Sequence, residues 1–179
     1  MRHFNTRKIQ LCLFAHTAAT HKPKPQPRCY TRVKIQIKTP VAQSAQQVDA
    51  GFTRDLLEKL TPPFPPVRIL RYDGNTPGDE VHLQLGFLLF TQTWVSEITA
   101  RMTGPTEWGF VDEGRKLPFF LGYWQHKHRI VVQGTGAVII DDITFHAPLN
   151  IFDFLLWPVL YAQFAARRPL YRQVFGLPQ

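Results

Sequence analysis

The chain has 179 residues, 44% of them hydrophobic and 19% charged, which fits one globular domain with a sizeable core. Its net charge of +8 is uneven: residues 1–32 hold seven Lys/Arg and no acid, leaving 14 basic against 13 acidic residues after them. A body this close to neutral argues against a nucleic-acid face, which needs clustered cations. Disulfides and thiolate chemistry are excluded from the body, because Cys12 and Cys29 both precede residue 33.

The first segment, residues 1–32, reads as a basic, disordered tail. Arg2, Arg7 and Lys8 precede a short apolar run, Ile9–Ala15, but Gln10 and His16 limit it and no cleavage site follows. Lys22-Pro23-Lys24-Pro25-Gln26-Pro27 is extended in character. The folded pattern starts abruptly at Val33. That suggests translation from Val33 through a non-AUG codon, and a native product lighter than the full 20.7 kDa.

Val33–Lys38 alternates apolar and polar residues, the mark of a half-buried strand, and Thr39-Pro40 is expected to end it. Ser44 with Gln47 forms a capping-box pattern for a helix over Ala45–Gly51, and Thr53 caps a second over Arg54–Leu60. Thr61-Pro62-Pro63-Phe64-Pro65-Pro66 stops any helix and reads as a rigid connector. An antiparallel meander follows: Val67–Asp73, Glu80–Leu89, Thr91–Thr103, Glu107–Asp112, Phe119–Val132 and Ala137–Ala147, with turn residues at 74–78, 104–105, 114–118 and 134–136. Gly86, Gly109 and Gly122 fall inside strand runs and permit bulges that curl a sheet. Asn150 is the expected cap of one final helix, Leu149 to Phe175. Its apolar stripe includes Ile151, Phe152, Leu155, Leu156, Val159, Leu160 and Phe164, with a kink at Pro158. Asp153, Pro158 and Gln163 interrupt the run, so it falls short of the ~20 apolar residues a bilayer crossing needs.

The order β-α-α-β-β-β-β-β-β-α over Val33 to about Gly176 resembles the helix-grip fold of the START / Bet v 1-like (SRPBCC) superfamily. The segments that carry the resemblance to its bacterial ligand-binding members are Thr39–Ser44, Leu60–Val67, Phe110-Val111-Asp112-Glu113-Gly114, Trp124-Gln125-His126-Lys127-His128-Arg129 and Ile140–Phe145. The resemblance implies an α+β domain over residues 33–179. In it, a seven-stranded curved antiparallel sheet wraps a long C-terminal helix, with two short helices after the first strand. It also implies an apolar hollow between sheet and helix. It does not specify a reaction, since relatives include lipid carriers, quinone-binding proteins and polyketide cyclases.

Trp124, His126 and His128 are two apart and share one sheet face, which the resemblance turns toward the hollow. Asp141 and Asp142 are adjacent and must face opposite ways, so one is available to pair with a histidine. Phe87, Trp94, Phe110 and Phe145 are candidates for the apolar lining, together with Leu155 and Val159 from the helix, and Asp112 for a polar contact. A His-x-His pair can also hold zinc with Asp141 as third ligand, but nothing else in the pattern completes a ligand set, so no metal or cofactor is expected. Gly-rich phosphate loops, Cys-x-x-Cys, His-Glu-x-x-His and nucleophile elbows do not occur in the sequence.

The leading expectation is reversible binding of a lipophilic small molecule (a lipid, quinone or polyketide-like compound) by a protein without catalytic residues. The alternative is a cyclase or dehydratase using His126 or His128 as base with Asp112 or Asp141 orienting it. A third reading, a partner-binding protein with a vestigial cavity, predicts a hollow filled by side chains and an exposed apolar patch. The expected setting is cytoplasmic, without nucleic acid or a transmembrane segment but compatible with transient membrane contact. The sequence does not set the oligomeric state.

Overall fold

The computed structural model describes residues 32–178. The readings made for residues 1–31 lie outside the described residues. Seven strands form one antiparallel sheet: β1 (Val33–Val41), β2 (Val67–Tyr72), β3 (Glu80–Gly86), β4 (Thr91–Thr103), β5 (Glu107–Lys116), β6 (Tyr123–Gln133) and β7 (Gly136–His146). Their order across the sheet is β1-β7-β6-β5-β4-β3-β2, a meander whose last strand returns to pair with the first. Two short helices, α1 (Ala45–Ala50) and α2 (Arg54–Leu60), follow β1, and α3 (Asn150–Ala165) and α4 (Arg167–Phe175) close the chain.

The caps of the short helices follow from local chemistry. The Ser44 hydroxyl accepts from the Gln47 N–H while the Gln47 side chain accepts from the Ser44 N–H, and the Thr53 hydroxyl accepts from the Leu56 N–H. Elsewhere the boundaries differ from the sequence reading for identifiable reasons. β1 runs through Pro40 to Val41, because β1 is an edge strand where a missing N–H breaks no central ladder. β5 continues through Gly114 to Lys116, and β6 begins at Tyr123 rather than Phe119. The β4–β5 register shifts at Val95/Ser96 and again at Ile98/Ala100, which bends this part of the sheet. Of the three glycines read as bending devices, Gly109 alone has a positive φ, +136°. A Cβ there would collide with the His128 carbonyl oxygen. Gly86 is the last residue of β3, and Gly122 lies just outside β6.

The terminal helix is interrupted at Ala166. Pro169 lacks the N–H that would donate to the Ala165 carbonyl in a continuing helix. Pro158 sits inside α3 on its exposed side, where the Phe154 carbonyl it leaves unpaired can turn to water. Asn150 is the first helical residue and not a cap; Leu149 holds the cap position without a side-chain bond. The start of α3 is held from within instead. Asp153, buried, accepts from the Ala147 N–H at 2.5 Å and pairs with His146 Nδ1 at 2.9 Å, tying the first turn to the end of β7. No described helix is long and apolar enough to cross a membrane.

Two apolar clusters lie on the concave side. One joins Tyr171 and Phe175 of α4 to Val41, Val48, Phe52, Phe110, Ile130 and Ile139. The other joins Leu160 and Phe164 of α3 to Ile35, Ile37, Trp124, Ile143 and Phe145. α3 buries only Asp153, Leu160 and Phe164, while Ile151, Phe154 and Leu155 on its other face are exposed.

Candidate functional site

Between the two clusters the sheet and helices stand apart, leaving a cavity of about 380 Å3. That lies within the ~300–1,000 Å3 typical of small-molecule sites. The floor comes from β2–β4 through Val67, Val81, Leu83, Leu85, Trp94 and Ile98, which lie on one face because strand side chains alternate. α2 supplies Leu56 and Leu60, the proline connector supplies Phe64 and Pro65, and α3 supplies Leu156, Val159, Leu160, Gln163 and Phe164. Gln163 Nε2 donates to the Phe64 carbonyl at 3.3 Å, joining α3 to the connector at one side of the opening.

One wall differs. Asp112 of β5 and Trp124, His126 and His128 of β6 face the cavity together, because Asp112 pairs with His126 and Phe110 with His128 across the β5–β6 ladder. The Trp124 indole N–H donates to Asp112 Oδ1 at 3.0 Å, and His128 Nε2 lies 3.0 Å from Asp112 Oδ2. His126 Nδ1 is 3.6 Å from that same Oδ2, while its Nε2 is 3.0 Å from Asp141 Oδ1 on β7. The two imidazole rings have centroids 3.7 Å apart at 39°, and His128 stacks on Phe110 at 4.3 Å. Phe164 meets the His126 ring edge-on at 5.0 Å.

Burial sets the electrostatics of this wall. Burial, followed by the neighbouring His126 ring, pushes His128 down to about 4 despite the opposing hydrogen bond to Asp112, so His128 is neutral at pH 7. For Asp112, burial works upward, but the contacts with His128, His126 and Trp124 together hold it below the ordinary carboxylate range. Asp141 follows the same pattern: burial raises it, and the His126 contact with the Arg167 charge outweighs that rise. Tyr171 of α4 is fully buried near Asp141 and Arg167, and burial pushes its phenol upward.

Of the residues picked out from sequence, Phe87, Trp94, Phe110, Asp112, Trp124, His126, His128 and Val159 line the cavity. Asp141 does not; it lies behind His126 with no exposed surface, while Asp142 is half-buried on the opposite sheet face, opposite Lys127 and Gln36. Phe145 is packed in the core, not in the lining. Leu155 is 57% exposed on the outer side of α3, about 100° around the helix from Leu156. The carboxylate grouped with both histidines is Asp112 rather than Asp141, their donor atoms lying within 4.8 Å of one another. Phe52, Leu56, Leu60, Leu83, Leu85, Phe120 and Gln163 also line the cavity without having been singled out. The available signal was period two: Leu83 and Leu85 alternate with His82 and Gln84.

No protein-family model matches the sequence, and no curated protein does. Among solved structures the chain is similar to Ara h 8.0201, at 15% identity and a TM-score of 0.55 over 80% of this chain and 99% of that one. It is similar to norcoclaurine synthase from Thalictrum flavum in complex with dopamine and hydroxybenzaldehyde, at 14% identity and a TM-score of 0.59 over 80% and 86% of the two chains. It is also similar to the Zhui aromatase/cyclase from Streptomyces sp. R1128, at 17% identity and a TM-score of 0.51 over 66% and 70%. Likeness at these identities is a likeness of fold. The chain has the helix-grip fold, a seven-stranded antiparallel sheet closed by a C-terminal helical segment.

Proposed function

We propose that this protein reversibly binds a lipophilic small molecule in the cavity between sheet and α3, with the wall of Asp112, His126 and His128 selecting one polar group on it. The observation that carries the reading is the cavity of about 380 Å3, lined mostly by apolar side chains. Apolar burial would supply most of the affinity. A ligand losing ~300 Å2 of apolar surface gains about 7 kcal/mol before the costs of association. Similarity to an aromatase/cyclase and to a synthase holding two aromatic compounds supports a cavity that takes a compound of this size.

Two histidine–carboxylate contacts also favour a second reading, a cyclase or dehydratase working in the same cavity. A general base works best with a pKa near the working pH, and His128 lies well below it at about 4. That counts against His128 as the base.

Native mass spectrometry of freshly purified full-length protein, followed by solvent extraction, tests the first reading. The expected result is one co-purifying lipophile per chain. Protein that emerges bare and takes up no lipid, quinone or aromatic polyketide from an added panel rejects it. Where a ligand is found, His126→Ala and His128→Ala separate the two readings: a carrier keeps most of its affinity, whereas an enzyme loses turnover.

A further inference from the structure

We propose that Asp112, His126 and His128 form a divalent-cation site of the two-histidine, one-carboxylate kind, open to the cavity. It uses the same wall as the ligand-binding reading but does not require any organic ligand.

The first argument is spacing. Ligands about 2.0–2.1 Å from a zinc-like ion in a tetrahedral arrangement stand roughly 3.3 Å from one another. Asp112 Oδ2 lies 3.0 Å from His128 Nε2 and 3.6 Å from His126 Nδ1, which brackets that edge length. All three donor atoms fall within 4.8 Å of one another.

The second argument concerns what stands behind the donors. A metal-bound histidine usually gives its other ring nitrogen to a carboxylate, which fixes the tautomer and the ring. His126 has this arrangement: Nδ1 faces Asp112, and Nε2 lies 3.0 Å from Asp141 Oδ1, whose residue is wholly buried. The Trp124 indole holds Asp112 Oδ1 in the same way, leaving Oδ2 turned toward the two histidines. Gly109 also contributes: only without a Cβ can β5 pass the His128 carbonyl this closely.

The third argument is proton balance. Without a cation, a single N–H proton lies between His128 Nε2 and Asp112 Oδ2. On binding, that proton moves to Nδ1, a buried atom without a protein partner among the described residues, and the lone pair this frees on Nε2 forms the metal–nitrogen bond. Histidine nitrogens with one carboxylate suit zinc and other first-row divalent ions rather than calcium or magnesium. The three donors leave a position on the cavity side for water or for a polar group of a bound molecule.

The test uses the full chain, stripped with EDTA, dialysed, and titrated with Zn2+ by calorimetry and with Co2+ by visible absorption. His3, Cys12, His16, His21 and Cys29 are competing ligands outside the site, so each titration is repeated in Cys12→Ser/Cys29→Ser protein. One ion per chain with intensified Co2+ d–d bands is expected. His128→Gln and Asp112→Asn should abolish it, and Asp141→Asn should weaken it about 10–100-fold. Asp142→Asn should leave it unchanged. To keep the test independent of how the wall variants fold, histidine NMR of the Cys-free but otherwise unaltered protein is the second readout: Zn2+ should shift His126 and His128 and leave His82 and His146 in place. Failure of Zn2+ to bind, or binding that survives His128→Gln and leaves both resonances unmoved, overturns the site. A lipophile recovered from metal-stripped protein would leave the cavity reading standing alone.

Discussion

Asp49 is 6% exposed, on α1, and among the described residues it is paired with Arg101 of β4 at 2.5 Å. Burial raises the Asp49 pKa and the Arg101 charge only partly offsets it. Arg101→Met therefore leaves a buried carboxylate unpaired, and a loss of about 2–3 kcal/mol is expected at pH 7. The sign with pH follows from the raised folded-state value. A protonated Asp49 is favoured in the folded protein at low pH, and that favour is lost as pH rises through the folded pKa. The cost of Arg101→Met should thus shrink between pH 7 and pH 4.5. Urea titrations of both proteins at both values check this, and a cost that grew in acid would contradict it. At this scale Ser44, Gln47 and Thr53 were legible from type and spacing, because a cap is a local hydrogen bond. The Asp49–Arg101 pair was not: its members are 52 residues apart.

Among the elements, α3 departs most from its sequence pattern. Its apolar residues spread around the helix, so periodicity alone did not say which stripe faces the sheet. The buried set is Asp153, Leu160 and Phe164 with Leu156 partly covered, and a carboxylate marks the inner face. Asp153 gives the Ala147 N–H its acceptor, so Asp153→Ala should cost about 1–3 kcal/mol, the penalty of a buried donor left unsatisfied. Asn150→Ala, at an exposed first-turn position without a capping bond, should stay within ~0.5 kcal/mol. Thermal melts of the two variants side by side decide between a helix fixed by Asp153 and one fixed by the residue that reads as a cap. The Ala166 break has a local cause in Pro169, whereas Pro158, equally visible in the sequence, is accommodated inside α3 on its exposed side.

For the whole molecule, the cavity is a space that two layers fail to fill, so its volume is a property of their separation. The third expectation, a collapsed hollow, does not hold, since about 380 Å3 remains open. Large apolar side chains are exposed nonetheless: Leu88, Leu89, Phe119, Ile151 and Phe154 are all more than 60% exposed. Leu83, on the cavity floor, is the position to fill. Leu83→Trp should remove ligand uptake in native mass spectra while circular dichroism keeps the fold of the parent. A ligand held at 100 times its Kd should stabilise the parent by ~2.7 kcal/mol and raise its Tm by roughly 5–10 °C, and leave Leu83→Trp unmoved. Equal shifts in both would place binding elsewhere.

Strand and helix order, the two capped helices and the shared facing of Trp124, His126 and His128 were determined by the sequence itself, because alternation, capping and proline chemistry act within a few residues. Only the tertiary structure decided that Asp112 and not Asp141 joins both histidines, that Asp141 stands behind His126, and that Leu155 faces outward. Those outcomes depend on strand register and helix rotation. Both are set by how distant surfaces pack, and a one-residue slip in either would exchange the inner face for the outer.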